Sequence, residues 1–321
     1  LVCPAGVTEP VETARTMLEM RKTYPEKPLF AAFMGGARLE EGAKLLGEAG
    51  IPCFTFPEPA ISSISGLVSY ARTRDLPVGE ETIQSPDADL KTVKAVFYDV
   101  KRDNRLVLLG SEAAQVLGAY GIPAAPTLLA HSPEEASLQA EQLGYPVVLK
   151  IASPKIMHKT DVGGVKIGLD SPEKVNAGFL EIMDNVHRYL PQVVAHGVEV
   201  QKMMPKGVEL IIGVTRDIQF GPLIAFGLGG IYVNLLKDVS FRLTNGLTTR
   251  EIKSMLAETK AYTLLRGYRG EKPADIGAII EMIGRVAGLV SDFPEINEMD
   301  INPVFAYQEG ACALDVKITV A

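Results

Sequence analysis

Three strand-length apolar runs follow one another between residues 198 and 230, VEVQKMM, VELIIGVT and PLIAFGLGG, joined only by short connections. A parallel pair needs a crossover of a dozen or more residues, so runs this close together give the region a strong antiparallel component. VGGVKIGL supplies a further strand, and YPVVLKI before it reads as a buried one. Two helical patterns precede them. SEAAQVLGAYGIPAAP is read with a Ser cap and an apolar stripe ended by Gly and Pro, and SPEEASLQAEQLG repeats that design.

The first 75 residues have a different grammar. A helical pattern near Val11 to Lys22, the apolar run PLFAAFMGG, a second helix near Glu40 to Ala49 and then GIPCFTF alternate in type. Strands alternating with helices imply a parallel sheet with helices packed on it, and few such units fit here. The fold class is therefore α/β followed by α+β. A small or incomplete α/β domain covers residues 1–76, a linker around PVGEETIQSPDADL covers 77–93, and a mixed domain of two subdomains covers 94–321.

The last fifty residues carry the sharpest geometric expectation. ADIGAIIEMIGRVAGLVSDF places Ile276, Ile279, Ile280, Ile283, Val286 and Val290 on one helical stripe. MDINPVFAYQEGACALDVKITV then reads as two strands around QEG. In the second of them Leu314, Val316, Ile318 and Val320 alternate with Asp315, Lys317 and Thr319, so Asp315 points away from the apolar face. If Gln308 and Glu309 form the turn, Asn302 lies beside Asp315.

Composition limits the function classes. With 47% hydrophobic and 22% charged residues a sizeable core is expected, and a net charge of −7 argues against a general nucleic-acid or anionic-membrane surface. The cysteines, Cys3, Cys53 and Cys312, form no CxxC pair, and the histidines, His131, His158, His187 and His196, show no HExxH spacing. No apolar run approaches the roughly 20 residues needed to span a bilayer, and no basic-then-apolar leader is present. A soluble cytoplasmic protein is the expectation. The opening LVCPAGVTEP has no initiator methionine and is read as part of a longer polypeptide.

Three stretches carry chemistry. In KIASPKIMHKTDVGGV, Lys150 ends a strand, where a rigid element aims an ammonium at a phosphate as a point charge. Gly163 and Gly164 allow close backbone approach and are expected to present N–H groups to phosphate oxygens. His158 lies between them, a nucleophile toward a phosphoryl group that Asp161 is placed to orient, or else an ordinary loop histidine. In VEVQKMMPKGVELIIGV, the backbone near Met203 is expected to pair with an adenine edge under cover of Met203 and Met204, with Glu209 on the ribose hydroxyls. The alternative is that both methionines are core. Asn302 beside Asp315 makes an oxygen-only site suited to Mg²⁺, or else a turn cap beside a solvated aspartate.

Taken together, VVLKIASPKIMHKTDVGGV, GVEVQKMMPKGVELIIGVTRDIQFGPLIAFGLGG and EMDINPV with LDVKI closely resemble the ATP-grasp half of the NDP-forming acyl-CoA synthetases, of the ADP-forming acetyl-CoA synthetase type and related to succinyl-CoA synthetase. The match runs from about residue 106 to 321. KPLFAAFMGG and EAGIPCFTFPEPA resemble the last part of a flavodoxin-like ligase-CoA domain. The resemblance implies Mg-dependent interconversion of acyl-CoA, ADP and phosphate with carboxylic acid, CoA and ATP, through acyl phosphate and phosphohistidine.

By the same resemblance Lys150, Gly163, Gly164, Gln201, Met203, Met204 and Glu209 hold ATP or ADP, and Asn302 and Asp315 hold Mg²⁺. His158 accepts the phosphoryl group, and Arg242 is placed to reach the γ-phosphate. CoA and the acid bind mainly to a CoA-binding half, in the same chain or a partner subunit, and the full enzyme is expected to be a dimer. One departure stands out. Asn234 occupies a position where the family usually has glutamate, and TNGL replaces its usual Pro-Leu, while Lys237, Asp238 and Arg242 remain. Two other readings share parts of this pattern, a regulatory region of a lysine acetyltransferase and a different ATP-grasp carboxylate ligase.

Overall fold

The computed structural model describes residues 8–74, 87–156, 159–230 and 238–321. The chain divides into two compact units, Leu1–Gly79 and Glu80–Ala321.

In the first unit, helices α1 (Pro10–Thr23), α2 (Glu40–Glu48) and α3 (Pro57–Arg74) accompany two short strands, β1 (Ala31–Ala32) and β2 (Cys53–Phe54). The strands pair in parallel, Ala31 opposite Cys53, as the alternating grammar requires. Their core is small: Ala14, Ala31, Phe33, Leu39, Leu46 and Ile51.

The second unit opens with α4 (Leu90–Arg102), a helix the sequence reading did not anticipate. Asp89 caps it by accepting from the Lys91 and Thr92 N–H groups, and Val93, Val96, Phe97 and Val100 form its buried face. Residues 90–93 of the expected linker are thus its first turn. In α5 (Gly110–Ala119) Ser111 is not the cap. Leu109, the residue before the helix, takes that place, and its N–H donates to the Glu112 carboxylate at 2.8 Å. Ser132 does cap α6 (Pro133–Leu143), accepting from Glu135 N–H at 3.1 Å.

A four-stranded sheet has the order β3 (Thr127–Ala130), β6 (Gly197–Lys202), β4 (Val147–Ala152), β5 (Val165–Leu169), every pairing antiparallel. Helices α6 and α7 (Pro172–Tyr189) cover it, burying Leu149, Ile151, Val198 and Val200 against Ala136, Val175 and Ile182. The six-stranded sheet contains β7 (Val208–Asp217), β8 (Gly221–Leu228), β9 (Val239–Leu243), β10 (Ile296–Ala306), β11 (Ala311–Ala313) and β12 (Val316–Val320). Its order is β11-β10-β7-β8-β9, with β12 continuing along β10 beyond β11.

One face of that sheet carries Leu210, Ile212, Val214, Ile224 and Phe226. It is buried under α4, α5, α8 (Thr249–Ala257), α9 (Lys260–Leu265) and α10 (Ile276–Asp292). Each such side chain contributes about 1.5–3 kcal/mol of burial. Asp275 links this helical layer to the hairpin. Its carboxylate accepts the Ala278 N–H of α10 at 2.9 Å and the Gly310 N–H of the β10–β11 turn at 3.0 Å. Those bonds, the Gly310 one foremost, hold its carboxyl below the usual range. Among the described residues no helix is long and apolar enough to cross a membrane.

Candidate functional site

The site begins with the register of the β10–β11 hairpin. Val304 opposes Ala313 and Ala306 opposes Ala311, and β12 continues the same register with Ile301 opposite Val316. That register places Asn302 against Asp315, and the Asn302 N–H donates to the Asp315 carbonyl at 3.0 Å. The adjacency expected from the QEG turn is therefore realised. The other edge of β10 is irregular there. Its pairing with β7 shifts between Ile301 and Val304, a bulge of the kind that accommodates Pro303.

From the four-stranded sheet, β4 and β6 send two side chains to this spot. Lys150 Nζ lies 3.4 Å from Asp315 Oδ1 and donates to the Leu314 carbonyl at 3.2 Å. The Gln201 amide donates to the same carbonyl at 2.9 Å and to Thr127 Oγ1 at 2.8 Å. The Lys150 side chain is only 13% exposed while that of Asp315 is 50% exposed, so the lysine is positioned and the carboxylate is open. Glu209, on β7, joins from the other side. A Cβ on Gly230 would fall 2.0 Å from its Oε2, and that same Gly230 donates its N–H to Asn302 Oδ1 at 2.9 Å. Gly230 has φ +69°, so glycine serves here both for the turn and for the close approach.

One acid was missed. Asp300 lies two residues before Asn302, on the same face of β10, directly opposite Lys317. Its Oδ1 is buried without a hydrogen-bond partner. Burial first, then the Asp315 and Glu298 carboxylates, raise its pKa above the usual range. The period-2 alternation of MDINPV would have exposed it, had the reading not stopped at Asn302.

These oxygens fit a hard divalent cation. The Asn302 amide oxygen has a second lone pair beyond the one facing Gly230, Asp315 is open, and the Asp300 Oδ1 beside them has no hydrogen-bond partner. Among the described residues no cluster of three His, Cys, Asp or Glu forms an alternative metal site.

Other expectations need correction. The N–H groups of the Gly pair are not presented to a ligand. Gly163 N–H donates to the Thr160 carbonyl at 3.0 Å, and Gly164 N–H to the Lys159 carbonyl at 2.8 Å. The glycines are there for packing. A Cβ on Gly163, at φ +65°, would meet Asn185 Nδ2 at 2.6 Å, and one on Gly164 would meet Ile151 Cγ2 at 2.7 Å. The Met203 N–H is also engaged, donating to the Pro146 carbonyl at 3.2 Å, so that half of the expected adenine edge is used inside the protein. The segment 203–207 does connect the two sheets, and Met203 is exposed while Met204 is half-buried.

Arg242 does not face the site. It pairs in register with Ile224, a fully buried core residue, so it projects from the helix-covered face of the sheet, whereas Glu209 projects from the other. There its guanidinium grips Glu258, and that bond, with the one Ser240 Oγ donates to Glu258 at 2.5 Å, holds the Glu258 carboxyl below the usual range. Asp238 is likewise committed, accepting the Lys260 and Ala261 N–H groups at the start of α9 at 2.8 and 3.0 Å. His158, Asn234 and Lys237 lie outside the described residues. Asp161, meant to orient the histidine, is exposed in a short 3-10 turn, Lys159–Val162.

A family model described as ATP-grasp domain matches residues 99–320. The beta subunit of an ADP-forming acetate–CoA ligase I from Pyrococcus furiosus is 44% identical over 225 residues, 70% of this chain and 96% of that protein. The chain belongs to the ATP-grasp family of ADP-forming acyl-CoA ligases. ADP-forming acetate–CoA ligase I of Archaeoglobus fulgidus is 43% identical over 306 residues, which are 94% of this chain and 44% of that protein. The chain thus spans under half the length of that relative.

Among solved structures, dinucleotide-forming acetyl-coenzyme A synthetase 1 of Ca. Korarchaeum cryptofilum, in complex with coenzyme A and Ca-AMPCP, matches with TM-score 0.68 at 46% identity. The match covers 71% of this chain and 99% of that one. The same enzyme with Mg-AMPPCP, its phosphohistidine segment pointing towards the nucleotide binding site, matches with TM-score 0.63 at 43% identity, covering 71% of this chain and 100% of that one. The antiparallel sheets of the second unit are therefore those of an ATP-grasp fold.

Proposed function

We propose that this chain is the nucleotide-handling part of an ADP-forming acyl-CoA synthetase, an acid–thiol ligase that interconverts acyl-CoA, ADP and phosphate with carboxylic acid, CoA and ATP. The observation that carries this reading is the meeting of Lys150 and Gln201 from one sheet with Asn302 and Asp315 from the other. Lys150 offers one fixed ammonium to the terminal phosphates. Gln201 anchors Leu314 and so fixes Asp315. Glu209, which closely approaches Gly230, the donor to Asn302, would accept from the ribose hydroxyls. A Mg²⁺ held by Asn302 and Asp315 would neutralise phosphate oxygens and relieve the crowding of Asp300 with Asp315.

In the ATP-consuming direction, an imidazole nitrogen of His158 attacks the γ-phosphorus. A P–N bond forms, the bond to the β–γ bridging oxygen breaks, and ADP leaves with the electron pair. The phosphoryl group then passes to a histidine of a CoA-binding half, carried in the same polypeptide or by a partner subunit, and from there to the carboxylic acid, each transfer breaking one P–N bond, and the CoA thiol displaces phosphate from the acyl phosphate. The P. furiosus relative is named a beta subunit, which supports such a division. A cytosolic enzyme, dimeric when complete, fits this reading.

The test is intact-mass detection of acid-labile phosphate after incubation with Mg·ATP, comparing the chain with His158→Ala. Phosphate on the first and none on the second supports the reading. Nucleotide binding without phosphate on the chain, even when a CoA-binding half from a relative is supplied, contradicts it.

A further inference from the structure

Glu199 has no place in the site as described, yet it is the most deeply buried acid of the four-stranded sheet, 1% exposed. It stands on β6 directly opposite Lys150, so the two side chains leave the same face. One carboxylate oxygen accepts the Ser111 N–H, at the start of α5, at 2.9 Å. The other lies 3.5 Å from Lys159 Nζ. Gly110 makes room for it, since a Cβ there would fall 2.6 Å from Oε2. A carboxylate this deep is retained only if its charge is matched, and Lys159 supplies the match. Lys159 directly follows His158 in the chain. It also begins the 3-10 turn whose Lys159 and Thr160 carbonyls receive the Gly164 and Gly163 N–H groups.

The geometry points to Glu199 as a positioning residue for phosphoryl transfer: by holding Lys159 it ties the turn next to His158 to the strand face that carries Lys150. This rests on the synthetase reading for its chemistry but not for its structural half. Glu199 touches no reacting atom. It acts through Lys159, the neighbour of His158 in the chain. A cleft of about 80 Å³ beside the pair, lined by Leu109, Gly110, Ser153 and Asp315 among others, connects it to the metal-site carboxylate.

The test uses the full chain with Glu199→Gln, Lys159→Met and Lys159→Arg. The glutamine keeps an acceptor for Ser111 and removes only the charge. Amide hydrogen exchange at Gly163 and Gly164 reads the turn directly, and phosphate on His158 from Mg·ATP reads its consequence. Glu199→Gln and Lys159→Met are expected to speed exchange at both glycines and to slow phosphate incorporation about tenfold; Glu199→Gln should keep the parent's melting temperature and ATP affinity, whereas Lys159→Met, which leaves the Glu199 carboxylate unmatched, should also melt lower. Lys159→Arg, which keeps the ion pair, is expected to recover most of the rate. Unchanged exchange in both charge-removing variants, or a loss of phosphate that only tracks a fall in melting temperature, overturns the proposal. If the parent chain takes no phosphate even with a CoA-binding half supplied, the synthetase reading fails, and the exchange measurement still decides whether Glu199 holds the turn.

Discussion

The two sheets of the second unit make unlike contributions to one site. The four-stranded sheet supplies a cation and an amide, Lys150 and Gln201, both well covered and both bonded to the Leu314 carbonyl. The six-stranded sheet supplies acceptor oxygens, Asn302, Asp315 and Asp300, whose Oδ1 has no hydrogen-bond partner, on a face left open by its helices. On the proposed reading one sheet would meet phosphate and the other a metal ion, and the connection 203–207 joins β6 to β7 between them. A site split this way brings its charges together at a boundary, where a nucleotide and its cation can meet both.

The largest effect should come from the oxygen side. Asp315→Ala is expected to weaken Mg·nucleotide binding about a hundredfold, roughly 2.7 kcal/mol, by titration calorimetry. Without Mg²⁺ the same variant should bind nucleotide no worse than the parent, because the removed charge then repels phosphate. Lys150→Met is expected to cost about tenfold, roughly 1.4 kcal/mol, with or without Mg²⁺. Arg242→Met sharpens the contrast, since its charge lies on the covered face with Glu258. It should leave nucleotide affinity unchanged.

Smaller effects test the supports. Asp275→Ala should cost about 1–2 kcal/mol in urea unfolding at neutral pH, since two N–H groups lose their acceptor. The folded-state carboxyl is depressed, so its contribution is fully present above the unfolded value near 3.8 and is lost as pH falls through the folded value. The difference between parent and variant should therefore shrink only below about pH 4. Gly163→Ala, at φ +65° beside a side-chain amide that can shift, should cost about 1 kcal/mol.

What was legible in the sequence was what period and turn length determine. The 302–315 adjacency followed from a two-residue turn with alternation on either side, and the α10 stripe followed from its helical spacing. What was not legible depended on where backbone groups find their partners. Nothing in GG says that both N–H groups close a 3-10 turn, and nothing in KMM says that Met203 N–H reaches Pro146. Arg242 was misjudged because a strand residue's face depends on register with a neighbour, here Ile224, that its own stretch does not contain. Helix α4 was overlooked because its capping residue, Asp89, sits inside a Pro- and Asp-rich run that reads as linker.

On the proposed reading the two sheets act on one ligand through Lys150 and Asp315. Its most direct test is a double-mutant cycle on Mg·nucleotide affinity with Lys150→Met, Asp315→Asn and both together. Groups 3.4 Å apart that share a ligand should couple by at least about 0.5 kcal/mol, so the double variant should differ measurably from the sum of the singles. Strict additivity, or affinities in the single variants equal to that of the parent, would contradict a shared site.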